Sequence, residues 1–133
     1  MHEAENERKN AVVRTRVKLT IHADERFFGP GICELLEKID ESGSIQAAAR
    51  QMELSYTKAW KILNRAEKEM GTALISRVNG GRNGGSSTLT DEGKKAISSF
   101  RAMEEKLLEE SRRLLEEYGD VFRKRRIDDG KTD

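Results

Sequence analysis

Apolar positions change their spacing several times along this chain, and each change marks an element. From Val13 they alternate: Val13, Thr15, Val17, Leu19 and Ile21 fall on one side, and Arg14, Arg16, Lys18, Thr20 and His22 on the other. A period of two predicts a half-buried strand with a basic outer face. Residues 1–12 precede it as a mobile tail. Beyond Gly29-Pro30-Gly31 the period becomes helical, with Ile32, Leu35, Leu36 and Ile39 on one face. Pro30 suits a first helical turn, where its missing N–H costs nothing, and Gly43 ends the helix. Ser44 is a good N-cap for a second, short helix with Ile45, Ala48, Ala49 and Met52 at i, i+3, i+4 and i+7. Only Glu53-Leu54 separates it from Ser55, which caps a third helix running to Gly71. The stripe of that helix is Ala59, Ile62, Leu63, Ala66 and Met70. Two short helices, a tight connection and an Ala-rich packing face predict a helix-turn-helix.

Two short strands are expected next, ALISRV at 73–78 and TLT at 88–90, around the glycine-rich loop NGGRNGGSS at 79–87. A hairpin in this place reads as a wing. Thr90 then caps a long helix whose first turn holds Asp91 and Glu92, where the helix dipole favours anions. It can run to about Tyr118, roughly 42 Å at 1.5 Å per residue. Phe100, Leu107, Leu114 and Val121 repeat every seven residues, with Leu108, Leu115 and Phe122 as a second stripe beside them. The predicted fold class is mainly α with a small β component. A winged helix-turn-helix over 13–90 precedes a long dimerisation helix over 91–122 and a charged tail over 123–133.

Composition narrows the function. The 133 residues suit one domain, with 35% hydrophobic and 37% charged residues. No apolar run reaches the ~18–20 residues of a membrane span. The N-terminus has no apolar signal segment, which makes a cytoplasmic protein without a membrane partner the expectation. Cys33 is the single cysteine and there are two histidines, far apart, so neither an internal disulfide nor a His/Cys zinc site is expected. The net charge of +1 conceals segregation: residues 31–43 carry −3, whereas 44–82 carry seven cations against three acids. A basic middle in a near-neutral chain fits a nucleic-acid face.

That face is predicted on the third helix. Opposite the core stripe lie Thr57, Lys61, Asn64 and Lys68, flanked by Lys58 and Arg65. Short polar groups at the leading turn suit base edges, and cations along the face suit phosphates. Ser55 and Tyr56 stand in the same leading turn, and Trp60 is expected to pack between the helix and the first strand. The loop lacks the Gly-Lys-Ser/Thr ending of a phosphate-binding loop; as a wing it offers Arg82 to the minor groove or a phosphate. His22 with Asp24 and Glu25 reads as a surface polar cluster and Cys33 as a core residue, so neither an enzyme nor a cofactor is expected. Two stripes on the last helix exceed what one small domain can cover. They predict a homodimer through Phe100, Leu107, Leu108, Leu114, Leu115, Tyr118 and Val121.

GSIQAAARQMELS at 43–55, GTALISRV at 71–78 and LTDEG at 89–93 resemble the winged helix-turn-helix of LysR-type regulators. SYTKAW at 55–60, the glycine-rich wing and the strand before FFGPGICELLEKIDESGSI narrow the resemblance to ModE-type molybdate-responsive regulators, over roughly residues 15–118. The resemblance implies a dimer joined by its long helices on a pseudo-palindromic double-stranded DNA operator. It implies DNA contact at Ser55, Tyr56, Thr57 and Lys58 and around Arg82. Molybdate-sensing members carry C-terminal β-rich oxyanion modules. Fifteen residues past Tyr118 leave no room for one. The expectation is therefore a sequence-specific transcription regulator without its own molybdate-binding domain, with a separate sensor protein as a possible partner. The alternative is a winged-helix protein-interaction module in molybdenum metabolism.

Overall fold

Cap residues set the helix limits in a computed structural model that describes residues 11–78 and 86–123. Helix α1 (Pro30–Ser42) starts with proline in its first turn and stops at Gly43, whose φ of 74° is left-handed. Helix α2 (Ile45–Gln51) is capped by the Ser44 hydroxyl, which accepts from the Ala47 N–H at 3.0 Å. Helix α3 (Tyr56–Met70) is capped by Ser55, which accepts from the Lys58 N–H at 3.1 Å. Between α2 and α3, Glu53 adopts a left-handed φ of 57°, and the Leu54 N–H donates to the Ala49 carbonyl. This tight turn is what brings the two helices together as a helix-turn-helix.

Among the described residues, 18–104 form one compact unit, and 11–17 together with 105–123 form another. In the first, β1 (Ile21–His22) and β2 (Arg26–Phe28) make a short antiparallel hairpin before α1. After α3, β3 (Ile75–Val78) pairs antiparallel with β4 (Ser86–Leu89), from Ile75 opposite Leu89 to Val78 opposite Ser86. This is the wing, followed by α4 (Asp91–Tyr118) and a 3₁₀ turn, Gly119–Phe122.

The strand expected from Val13 shrinks to Ile21 and His22, and residues 11–20 carry no regular structure. A strand needs a partner backbone, and β2 is only three residues long. The alternation nevertheless reports burial: Val13, Thr15, Leu19 and Ile21 are half-buried and Arg14, Arg16, Lys18 and His22 are exposed, with exposed Val17 and half-buried Thr20 breaking the pattern. The wing strands are also displaced. β3 begins at Ile75 rather than 73 because Glu67 of α3 holds its entrance, accepting the Leu74 and Ile75 N–H groups at 2.8 and 3.2 Å. β4 begins at Ser86, inside the expected loop, and Ser87 donates its N–H to the Gly43 carbonyl at 2.9 Å. Loop residues 79–85 lie outside the described residues, as do 1–10 and 124–133, which make up most of the expected mobile tails.

The core of the first unit joins Leu35, Leu36 and Ile39 of α1, Ala48 and Ala49 of α2, Leu63 and Ala66 of α3, and Leu74 and Leu89 of the wing. Alanines at the helix contacts allow close approach. Phe100 of α4 completes the core, 1% exposed, with its ring 5.2 Å from Phe28. The seven-residue repeat placed Phe100 on a dimer seam; it is instead interior, because at this point α4 packs on its own unit. Arg101 beside it grips Glu37 of α1 through two bonds of 3.0 and 2.7 Å and Glu104 through one of 2.7 Å. The hydrogen bond from Arg101 holds the Glu37 carboxyl below its ordinary range, so this tie is complete above that range and weakens as pH falls below it. Burial pushes the Cys33 thiol up to about 11.

Gly93 fills a place no other residue fits. A Cβ there would collide with the Leu74 carbonyl oxygen, which already accepts the Thr90 N–H at 2.9 Å. Gly93→Ala is expected to destabilise the protein by about 1–3 kcal/mol, as overpacking does, through a lower urea midpoint at unchanged slope.

In the second unit, Thr15 and Ser111 share a 2.6 Å hydrogen bond. Leu108 and Leu115, three before and four after Ser111, lie on its helix face and are half-buried. Leu107, Leu114, Tyr118 and Val121 are exposed.

Candidate nucleic-acid interface

Helix α3 separates its side chains cleanly. Ala59, Leu63 and Ala66 are buried. Ser55, Tyr56, Thr57, Lys58, Lys61, Asn64, Arg65 and Lys68 are all exposed; helical spacing puts Thr57, Lys58, Lys61, Asn64, Arg65 and Lys68 opposite the core, whereas Tyr56 shares the side of Ala59 and Leu63 and is exposed at the helix start. The leading turn therefore presents hydroxyls, and the following turns present four cations and an amide. The Ser55 oxygen is engaged as a cap, which leaves its O–H to donate outward. Arg65 is engaged too: its Nη1 donates to Glu25 Oε1 at 2.8 Å. Arg82 lies outside the described residues.

Trp60 has a partner the sequence reading did not assign. The Arg77 guanidinium of β3 lies 3.7 Å from its ring centroid, and Tyr56 meets the ring edge-on at 6.1 Å between centroids. Trp60 is thus stacked against Arg77 of the wing, a partner other than the first strand expected for it. Such a cation–π contact contributes about 0.5–1 kcal/mol when exposed. It couples the leading turn of α3 to the wing and leaves an exposed cation, Arg77, at their junction. A signal was present: in a strand, Arg77 shares the face of buried Ile75 and so points toward α3. Glu67 and Glu25 gave none, since each acts on a residue brought near only by folding.

A capped helix with an exposed cationic face, held beside a two-stranded wing, defines a winged helix-turn-helix. Residues 33–94 match the family "Bacterial regulatory helix-turn-helix protein, lysR family". The chain is 41% identical over 70 residues to the molybdenum transport protein ModE of Azotobacter vinelandii, covering 53% of this chain and 26% of that protein. It is 34% identical over 98 residues to the ModE of Herbaspirillum seropedicae, covering 74% of this chain and 35% of that protein. It is 33% identical over 91 residues to the transcriptional regulator ModE of Haemophilus influenzae, covering 68% and 36%. Residues 33–94 are thus similar to LysR-type helix-turn-helix domains, and the chain is similar to the corresponding part of ModE regulators. It spans about a quarter to a third of the length of these relatives. Among the described residues no helix is long and apolar enough to cross a membrane, and no group of three His, Cys, Asp or Glu side chains could hold a metal ion.

Proposed function

We propose that this chain is a sequence-specific DNA-binding transcription regulator that binds a pseudo-palindromic duplex as a homodimer. The observation that carries the reading is the exposed set of Thr57, Lys58, Lys61, Asn64, Arg65 and Lys68 on one face of α3, opposite the buried Ala59, Leu63 and Ala66. In this reading the leading turn meets base edges in the major groove, Lys61 and Lys68 meet phosphates, and Arg77 and the wing flank the backbone. The exposed apolar side chains of α4 beyond residue 105 join two copies, so that two recognition helices meet two half-sites. Two of the relatives are named for molybdenum transport, which makes promoters of molybdenum-transport genes the first duplexes to test.

The test is binding to selected duplexes across a range of salt concentrations. Lys58→Ala and Lys61→Ala are expected to weaken binding, while Arg112→Ala on the distal part of α4 leaves it unchanged. Loss of a phosphate contact lowers affinity alike on all sequences and reduces the salt slope by about one. Loss of a base contact costs about 1–3 kcal/mol and relaxes specificity at one position. Unchanged affinity in both lysine variants removes the assignment, and an absence of salt-dependent DNA binding favours a protein-interaction module.

A further inference from the structure

The cationic face of α3 carries counter-charge from within its own chain. The turn between β1 and β2 brings Asp24 and Glu25 into the groove lined by Lys58, Lys61, Arg65 and Lys68. The position is built rather than incidental. Pairing of His22 with Arg26 fixes both ends of the turn, and the Ala23 N–H donates to the Glu25 carbonyl at 3.1 Å. From there Glu25 reaches Arg65 across 40 residues of sequence at 2.8 Å, with the two side chains 69% and 54% exposed. An ion pair this exposed adds little to stability. It sits instead on the same exposed face of α3 as Lys61 and Lys68.

We propose that Glu25 is an internal counter-ion for Arg65 that a DNA phosphate must displace, and that it thereby limits the affinity of α3 for any duplex. The inference rests on the DNA-binding reading above. A phosphate approaching Arg65 gains one cation only after the carboxylate is released, and the released carboxylate then faces the phosphate. Both effects oppose binding and neither depends on base sequence, so the limit falls on non-specific as well as specific complexes. Glu25 is a positioning residue, acting through Arg65.

The experiment compares the full chain with Glu25→Gln, Glu25→Asp, Arg65→Ala and the double variant Glu25→Gln/Arg65→Ala on a random-sequence duplex, over a range of salt. Lys61→Ala serves as the control for DNA binding itself. Glu25→Gln is expected to tighten binding about fivefold at low salt, the size of an exposed ion pair. It is also expected to steepen the salt dependence by up to about one counterion. Glu25→Asp keeps the charge and stays near the parent. With Arg65 removed, the gain from Glu25→Gln shrinks. Thermal unfolding stays unchanged throughout, which a merely structural role would not allow together with a changed salt slope. Equal affinity and slope for Glu25→Gln and parent overturn the proposal, as does a gain that persists in full without Arg65. If the parent binds and Lys61→Ala weakens it, those results bear on Glu25 alone; if the parent binds no duplex at any salt, both readings fall.

Discussion

Phe100→Ala is expected to cost about 3–5 kcal/mol of unfolding free energy, the range for emptying a buried aromatic site. The ring is among the largest fully buried side chains and closes the core against Phe28. Its loss leaves a void in the core beside Phe28. The measurement is urea unfolding at a fixed protein concentration, since any self-association shifts the midpoint by mass action. The expected result is a large drop in midpoint with self-association retained at low denaturant. A variant of parental stability that fails to associate would return Phe100 to the seam where the seven-residue repeat puts it.

That contrast shows what was legible in the sequence. Ser44, Ser55 and Gly43 act within a few residues of themselves, so the limits of α1, α2 and α3 could be read from local chemistry. The exposed face of α3 was equally legible, because helical spacing fixes which side chains oppose Leu63. Spacing does not say what covers an apolar face. It assigned Phe100 to another copy when its own unit covers it, and it drew a strand through Val13 when no backbone pairs there. Nor does spacing reveal partners brought together by folding: Glu25 on Arg65, Glu67 at the entrance of β3, and Arg101 on Glu37 are each separated by a connection or more. Glu53 is a different case. A left-handed residue at the helix-turn-helix bend would be expected as glycine, and the close turn imposes that geometry on a side chain that prefers otherwise.

The double substitution Leu107→Glu/Leu114→Glu is expected to convert the proposed homodimer to monomers. These two residues are 41% and 40% exposed in the single chain, seven residues apart on one helix face, and Tyr118 and Val121 beyond them are exposed as well. A repeat of seven is the spacing at which two helices keep a seam in register. Charged neighbours border it, with Arg113 held by Glu110 and Glu117. Placing glutamate at both seam positions would bury unpaired carboxylates on each copy, a cost of several kcal/mol and more than a hundredfold in association. Glutamate is a good helix former, so α4 itself should persist and circular dichroism should stay near the parent. Leu108 and Leu115 differ, because they share the half-buried face of Ser111 that Thr15 reaches; substitutions there should also disturb the N-terminal segment. Sedimentation velocity reads the outcome directly. Monomers in the double variant, with dimers in Arg112→Ala, place the seam on Leu107 and Leu114; dimers in both move it elsewhere. Loss of the dimer should also abolish cooperative binding to paired half-sites, whose separation of one helical turn or a multiple, about 10–10.5 base pairs each, is set by the two-fold axis between recognition helices.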